Sequence, residues 1–175
     1  DLKVIFLEGN IVMLTEKEKR LHRACFTGHR PEKIHKAKNE ILKDLKREIL
    51  HAVDEGFNVF ISGMARGTDI WAAEIILQLR ANGKNIRLIC ACPYKGFAEN
   101  WNIYWKIKCM TVLKAADYVK YICPEYCKDC FQTRNEWMVN HSAKVIAVFN
   151  GEKGGTANTV KYASLKGLQI SFIEA

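Results

Sequence analysis

No apolar run in this chain approaches the roughly 18 residues needed to cross a bilayer as a helix, so no segment reads as membrane-spanning. The N-terminus also lacks the basic, apolar and small-residue progression of a secretory signal, and the expected location is the cytoplasm. No internal repeat is present. A disulfide framework is missing too: the seven cysteines are odd in number. Cys25, Cys90 and Cys92 lie inside apolar, strand-like runs, as buried thiols of a reducing compartment do. Negative charge is in deficit, and the net charge of +8 invites a polyanion, whether nucleotide, nucleic acid or acidic partner. Much of that excess, at Lys36, Lys38, Lys43, Lys46 and Arg47, falls on one helical segment, where a solvated face accounts for it.

What is present is enough for one core. Of 175 residues, 49% are apolar and 10% aromatic, which excludes disordered and collagen-like classes. Residues 1–23 read as an appendage: Val4 to Leu7 and Ile11 to Met13 flank Glu8-Gly9-Asn10 as a small hairpin, and Thr15 to Arg23 is a charged connector with helical character. The chain opens at Asp1, and Met13 is a candidate initiator.

Residues 24–175 read as a single domain in which strands and helices alternate. Strands are expected at Ala24 to Thr27, Phe57 to Ile61, Ile86 to Ala91, Tyr118 to Ile122, Lys144 to Phe149 and Leu168 to Ile173. Between them come a helix at Lys36 to Glu55, with Ile41, Leu45, Ile49 and Val53 on one stripe and Gly56 as its cap, and helices at Ile70 to Ala81, Phe97 to Ala116, Arg134 to His141 and Ala157 to Lys166. The alternation predicts an α/β, Rossmann-like, doubly wound fold: a mainly parallel sheet of about six strands with helices on both faces.

In such sheets ligands bind beyond the carboxyl ends of the strands, where strand order reverses. The unusual residues sit at those ends. Asn150-Gly151-Glu152-Lys153-Gly154-Gly155-Thr156 joins a buried strand to a helix, the arrangement that offers glycine backbone, a hydroxyl and free N–H groups to a phosphate. A Gly-Gly-Thr turn also occurs as plain loop-and-cap chemistry. Thr27, Gly28, His29 and Arg30 follow the first strand; Ser62, Gly63, Ala65, Arg66, Gly67 and Asp69 follow the second; Pro93 and Tyr94 follow the third. Convergence of four loops predicts a site for a nucleotide-type ligand. Gly28, Ser62, Gly63 and Gly67 would let the backbone approach it closely. Arg30 and Arg134, with Asn135 beside the latter, supply guanidinium forks for phosphate or carboxylate, although Glu136 offers Arg134 an ion pair instead.

Thr27-Gly28-His29-Arg30-Pro31, Ser62 to Asp69 with Ala72-Ala73-Glu74, Arg134 to Val139, and Asn150-Gly151 with Gly154-Gly155-Thr156 together resemble the YpsA-like branch of the SLOG superfamily. Those Rossmann-like domains include the DNA-processing protein DprA and the cytokinin-activating phosphoribohydrolases. The resemblance runs from about residue 24 to the end. It implies a nucleotide or nucleotide-derived ligand such as a nucleoside monophosphate, ADP-ribose or an NAD-like molecule, in a binding or sensing role without a required cofactor, and a homo-oligomer.

Two alternatives follow from the same resemblance. DprA-like binding of single-stranded DNA would use Arg30, Arg66 and Arg134 with Tyr94, Trp101 and Trp105 as stacking aromatics, although aromatics in a helix commonly pack in the core. N-glycosidic hydrolysis would need an acid. Arg134 and Met138 match the phosphoribohydrolase helix, and Gly154, Gly155 and Thr156 its loop in altered form, but Ala157, Asn158 and Thr159 stand where the catalytic glutamate belongs. Asp69, Glu74 and Glu99, with Arg134, are the remaining catalytic candidates.

Cys123, Cys127 and Cys130 have the C-x₃-C-x₂-C spacing of radical S-adenosylmethionine enzymes. That motif belongs near the start of a larger partial barrel, and a zinc site would need His141 or Cys109 at unsuitable spacing. No metal is expected there. By the resemblance, Cys130 has counterparts in YpsA-like proteins and Cys123 and Cys127 are additions.

Overall fold

The computed structural model describes residues 4–7 and 10–175, with side chains from residue 14 onward. Strands β1 (Val4–Leu7) and β2 (Asn10–Met13) pair antiparallel. Residues 1–3 and the expected turn residues Glu8 and Gly9 lie outside the described residues. Helix α1 (Glu16–Leu21) opens with a capping box, in which Thr15 and Glu18 each bond the other's backbone N–H.

The remaining elements alternate as expected: β3 (Arg23–Gly28), α2 (Lys38–Asp54), β4 (Val59–Ser62), α3 (Thr68–Ala81), β5 (Arg87–Cys92), α4 (Ile103–Ala115), β6 (Tyr118–Tyr121), α5 (Cys130–Asn140), β7 (Lys144–Phe149), α6 (Gly155–Leu165) and β8 (Gln169–Glu174). All six strands from β3 onward are parallel, in the order β6-β5-β4-β3-β7-β8. The chain therefore winds one way from β3 to β6, then returns to the far side of β3. That reversal lies between β3 and β7, where Gly28 pairs with Val148.

Alternation along each strand sends neighbours to opposite faces. Phe26, Phe60, Leu88, Cys90, Ile146 and Val148 meet α2, α3 and α4 on one face, with Ile41, Leu45, Ile49, Ile70 and Ile76 buried against them. Cys25, Ile61, Ala91, Val145 and Ala147 meet Met138, Val139 and Ala163 of α5 and α6 on the other. Burial on both faces is why these strands read as continuous apolar runs.

Lys38, Lys43, Lys46 and Arg47 of α2 are exposed and Lys36 is half-buried against Asp44, so the basic stretch is a solvated face. Several boundaries differ from the sequence reading, and three of them bear on the site. The aromatic segment from Phe97 is turn until Asn102, whose side chain accepts the Trp105 N–H at 3.1 Å and caps α4. Helix α5 begins four residues early, at Cys130, and α6 begins at Gly155. The paired glycines are thus the cap and first residue of that helix, not a loop before it.

Candidate functional site

A cleft of about 570 Å³ opens at the carboxyl ends of β3, β4, β5 and β7, beside the point where strand order reverses. Thr27, Gly28, His29 and Arg30 line it from the end of β3. The His29 N–H donates to the Val148 carbonyl at 3.2 Å, and the His29 carbonyl accepts from the Thr68 hydroxyl at 3.2 Å, which locks the loop between β7 and α3. The imidazole stacks on Phe149 at 5.6 Å. Burial pushes its pKa down, so the ring is neutral at neutral pH, and its Nε2 has no protein partner.

From the β4 end, Gly63, Ala65, Arg66 and Asp69 line the cleft. Ser62 does not. It is fully buried, its hydroxyl donating to the Asp69 carbonyl and accepting from the Met64 N–H. Gly67 also lies behind the wall, at φ +88, with Pro31 Cδ 2.8 Å from where a Cβ would stand. Close approach is real at Gly28, Gly63 and Gly67, but the partners are protein: Thr68, the Asp69–Arg134 couple, and Pro31 with the His29 carbonyl. Gly28 and Gly63 nonetheless line the cleft, where a ligand was expected to approach, and Gly67 does not.

Asp69 is 5% exposed and accepts the Ala65 N–H at 3.1 Å. Burial pushes its carboxyl pKa up to about 6 against the pull of Arg134. Arg134, on α5, is equally buried; its Nε donates to Asn135 Oδ1 at 2.8 Å, and Glu136 instead accepts from Gln132. Of the three candidate acids only Asp69 lines the cleft. Glu74 pairs with Lys108 on the outer side of α3, and the exposed Glu99 folds back toward Gly96.

Pro93 lines the cleft after β5, whereas Tyr94 sits behind it, edge-on to Tyr126 and Phe131 at 5.5 and 6.2 Å. Sequence reasoning missed Phe97, Asn100 and Asn102, which line the same wall with Trp101, and Phe131 opposite. Their signal was the Asn-Trp-Asn cap sequence that ends the turn. Trp105 is in the core against Trp71 at 6.1 Å, so it cannot stack on a ligand.

After β7, Lys153, Gly154, Gly155 and Thr156 line the cleft. Asn150 and Gly151 shape this loop without facing in: Asn150 donates to the Lys33 carbonyl at 3.1 Å and accepts the Glu152 N–H at 2.9 Å, and Gly151 turns at φ +88. A Cβ on Gly155 would meet no atom within 4 Å. The first N–H groups of α6 have no intrahelical partner and give this end of the cleft a partial positive charge.

Five cations, Arg30, Lys33, Arg66, Arg134 and Lys153, line the cleft with a single carboxylate, Asp69. Two of them are partly neutralised at the rim, Arg66 by Glu32 at 2.9 Å and Lys33 by Glu152 at 3.2 Å. The balance favours an anion.

Cys123 and Cys127 have their sulfurs 3.9 Å apart, and Cys130 is buried. Among the described residues no three His, Cys, Asp or Glu side chains are placed to hold a metal ion. His141 stacks on Trp137 and Cys109 is a core thiol.

The same chain resembles known proteins in sequence and in fold. It is 31% identical over 143 residues to YoqJ, an SPbeta prophage-derived protein of Bacillus subtilis, covering 72% of this chain and 84% of the relative. A UPF0398 protein of Bacillus cereus is 30% identical over 153 residues, 80% of each chain. In structure it is similar to the DNA processing protein A of Streptococcus pneumoniae, with a TM-score of 0.64 at 19% identity, covering 89% of this chain. It spans only 51% of that protein's length. The corresponding protein of Helicobacter pylori, described by its single-stranded DNA binding mode, gives a TM-score of 0.61 at 20% identity, covering 91% of this chain and 68% of that one. The profile of the YspA SLOG family (YpsA) matches residues 24–174, and the chain belongs to that family.

Proposed function

We propose that this cleft binds a nucleotide or nucleotide-derived ligand, with a phosphate on the first turn of α6. The observation that carries the reading is that Gly154, Gly155 and Thr156, at the start of α6, line the same cleft as Arg30 and Lys153. Unpaired N–H groups at a helix start and nearby cations are the two elements of a phosphate cradle. Trp101 and Phe131 provide apolar surface for a base, and Asn100, Asn102 and Asn135 provide polar contacts around it. A thermal-shift series with AMP, ADP-ribose and NAD, repeated at two salt concentrations, tests this. A rise in melting temperature that survives added salt is expected with at least one of them; no rise with any would overturn the reading.

The second reading is binding of single-stranded DNA, favoured by the likeness to the Helicobacter pylori protein and by the five cations of the cleft. It predicts stabilisation by a short oligodeoxynucleotide that collapses as salt rises. Hydrolysis of an N-glycosidic bond would rest on Asp69 alone, since Glu74 and Glu99 lie off the cleft. Base released from a bound nucleotide, measured by chromatography, tests it.

A further inference from the structure

We infer that Asp69 and Arg134 together read a ribose hydroxyl, which makes the cleft selective for ribonucleotides over deoxyribonucleotides. The inference rests on the nucleotide reading above and names the part of the ligand that reading leaves open.

Both residues are 5% exposed, and both line the cleft beside Gly63. Asp69 Oδ2 and Arg134 Nη1 each lie within 2.8 Å of the point where a Gly63 Cβ would stand. Even so, carboxylate and guanidinium make no ion pair within 4.0 Å. The two atoms are therefore more than 4.0 Å apart and no farther than twice 2.8 Å. Two opposite charges in a buried wall ordinarily close to contact, since each pays for lost water.

That gap selects a chemical group. An oxygen that donates one hydrogen bond and accepts another, each about 2.8 Å long at a tetrahedral angle, holds its partners roughly 4.6 Å apart. A hydroxyl is such a group: on the cleft side of Gly63 it would donate to Asp69 and accept from Arg134. The edge of a base presents its donor and acceptor side by side along parallel bonds, which would bring acid and guanidinium closer than they stand. A phosphate would satisfy Arg134 and repel Asp69. Arg134 was expected on phosphate; with Asp69 beside it, a hydroxyl suits the pair better than an anion does.

Position agrees with composition. Asp69 follows β4 and the phosphate cradle follows β7, with β3 between them. Two strand spacings separate them, roughly 10 Å. A phosphate, its ester carbon and a ribose ring, hydrogen-bonded at each end, fill that span. Trp101 and Phe131 then lie beyond the sugar, on the β5 and α5 side, where the base would go.

The test compares AMP, 2′-deoxyAMP and 3′-deoxyAMP by calorimetry on the wild-type chain and on Asp69→Asn and Asp69→Ala. A site built to bond a hydroxyl rejects the analogue lacking it, because its own polar groups are left unpaired. One of the two deoxy analogues should bind roughly tenfold or more weakly than AMP to the wild type. The ratio should fall toward unity in Asp69→Ala, with Asp69→Asn between. Equal binding of all three nucleotides by the wild type overturns the inference and leaves the phosphate reading standing. An unchanged ratio in a folded Asp69→Ala also overturns it. Failure of AMP to bind, with inorganic phosphate likewise silent, overturns both. Short oligo(dT) bound equally by wild type and Asp69→Ala while AMP is ignored would assign the cleft to DNA instead.

Discussion

Gly28, the last residue of β3, lies directly against Thr68, the first residue of α3: a Cβ on the glycine would fall within 2.6 Å of three Thr68 side-chain atoms. Thr68 is fully buried and its hydroxyl is committed to the His29 carbonyl, so it cannot swing away. Gly28→Ala should therefore destabilise by about 1–3 kcal/mol through overpacking, lowering the melting temperature by several degrees. The double variant Gly28→Ala with Thr68→Ala should recover part of the loss. Additive losses in the double variant would show that the contact is not the cause.

Gly155 behaves in the opposite way. A side chain there meets no protein atom within 4 Å, and the first turn of a helix welcomes a negative charge. Gly155→Asp should fold with an unchanged or slightly raised melting temperature and lose affinity for AMP by more than tenfold, since the carboxylate occupies and repels the phosphate position. Gly155→Ala should lose less. Retained affinity in Gly155→Asp, measured by calorimetry, would remove the phosphate from α6.

Lys144 opens β7, is fully buried, and pairs with Glu55 just past the end of α2, its ammonium 5.7 Å from the Phe57 ring centre. Lys144 and Gln169 hold the Glu55 carboxyl below the usual glutamate range. Its stabilisation is present above the ordinary glutamate pKa and is lost as pH falls through the lowered folded value. Glu55→Ala should cost about 2 kcal/mol by stranding a buried ammonium, less than for a wholly buried pair because Glu55 is partly exposed. Glu55→Ala with Lys144→Met should restore most of it. Urea titrations of the three variants at pH 7 measure both effects.

The strands, their order of appearance and the glycine-bearing loops were legible because each is a local pattern: apolar runs such as Lys144 to Phe149, then glycines at their ends. Contacts between distant elements were not. Gly28 and Gly67 announce a close approach, but only the fold shows that Thr68 and Pro31 are what approach. Phe97 to Asn102 carries the same aromatic-rich composition as the helix after it, so the turn that places Trp101 and Asn102 on the cleft was hidden in an apparent helix. Trp105 went to the core because Trp71, on another helix, offered it a partner. Lys144 reads as an ordinary strand-end lysine until α2 brings Glu55 over it, 89 residues away in sequence. Among the three candidate acids, sequence spacing did not separate Asp69 from Glu74, five residues apart. The helix turn between them does, turning one toward the cleft and the other toward Lys108.

Asp69 links that choice to stability. Its folded pKa of about 6 lies above the unfolded value near 3.8, so the native state holds a proton that the unfolded chain has already released between those pH values. Stability attributable to this group is therefore undiminished below about pH 4, falls as pH rises toward 6, and stays reduced above it. The cost at neutral pH is at most about 3 kcal/mol, from roughly two pH units at 1.36 kcal/mol each. Asp69→Asn keeps the acceptor for the Ala65 N–H and removes the charge. It should raise the melting temperature by several degrees at pH 7.5 and by nothing at pH 4. A variant that is more stable yet discriminates ribose poorly would mean the buried carboxylate is kept for the ligand at the expense of the fold. A lower melting temperature at pH 7.5 would mean that Arg134 needs the charge, and that the pair holds the wall together with or without a ligand.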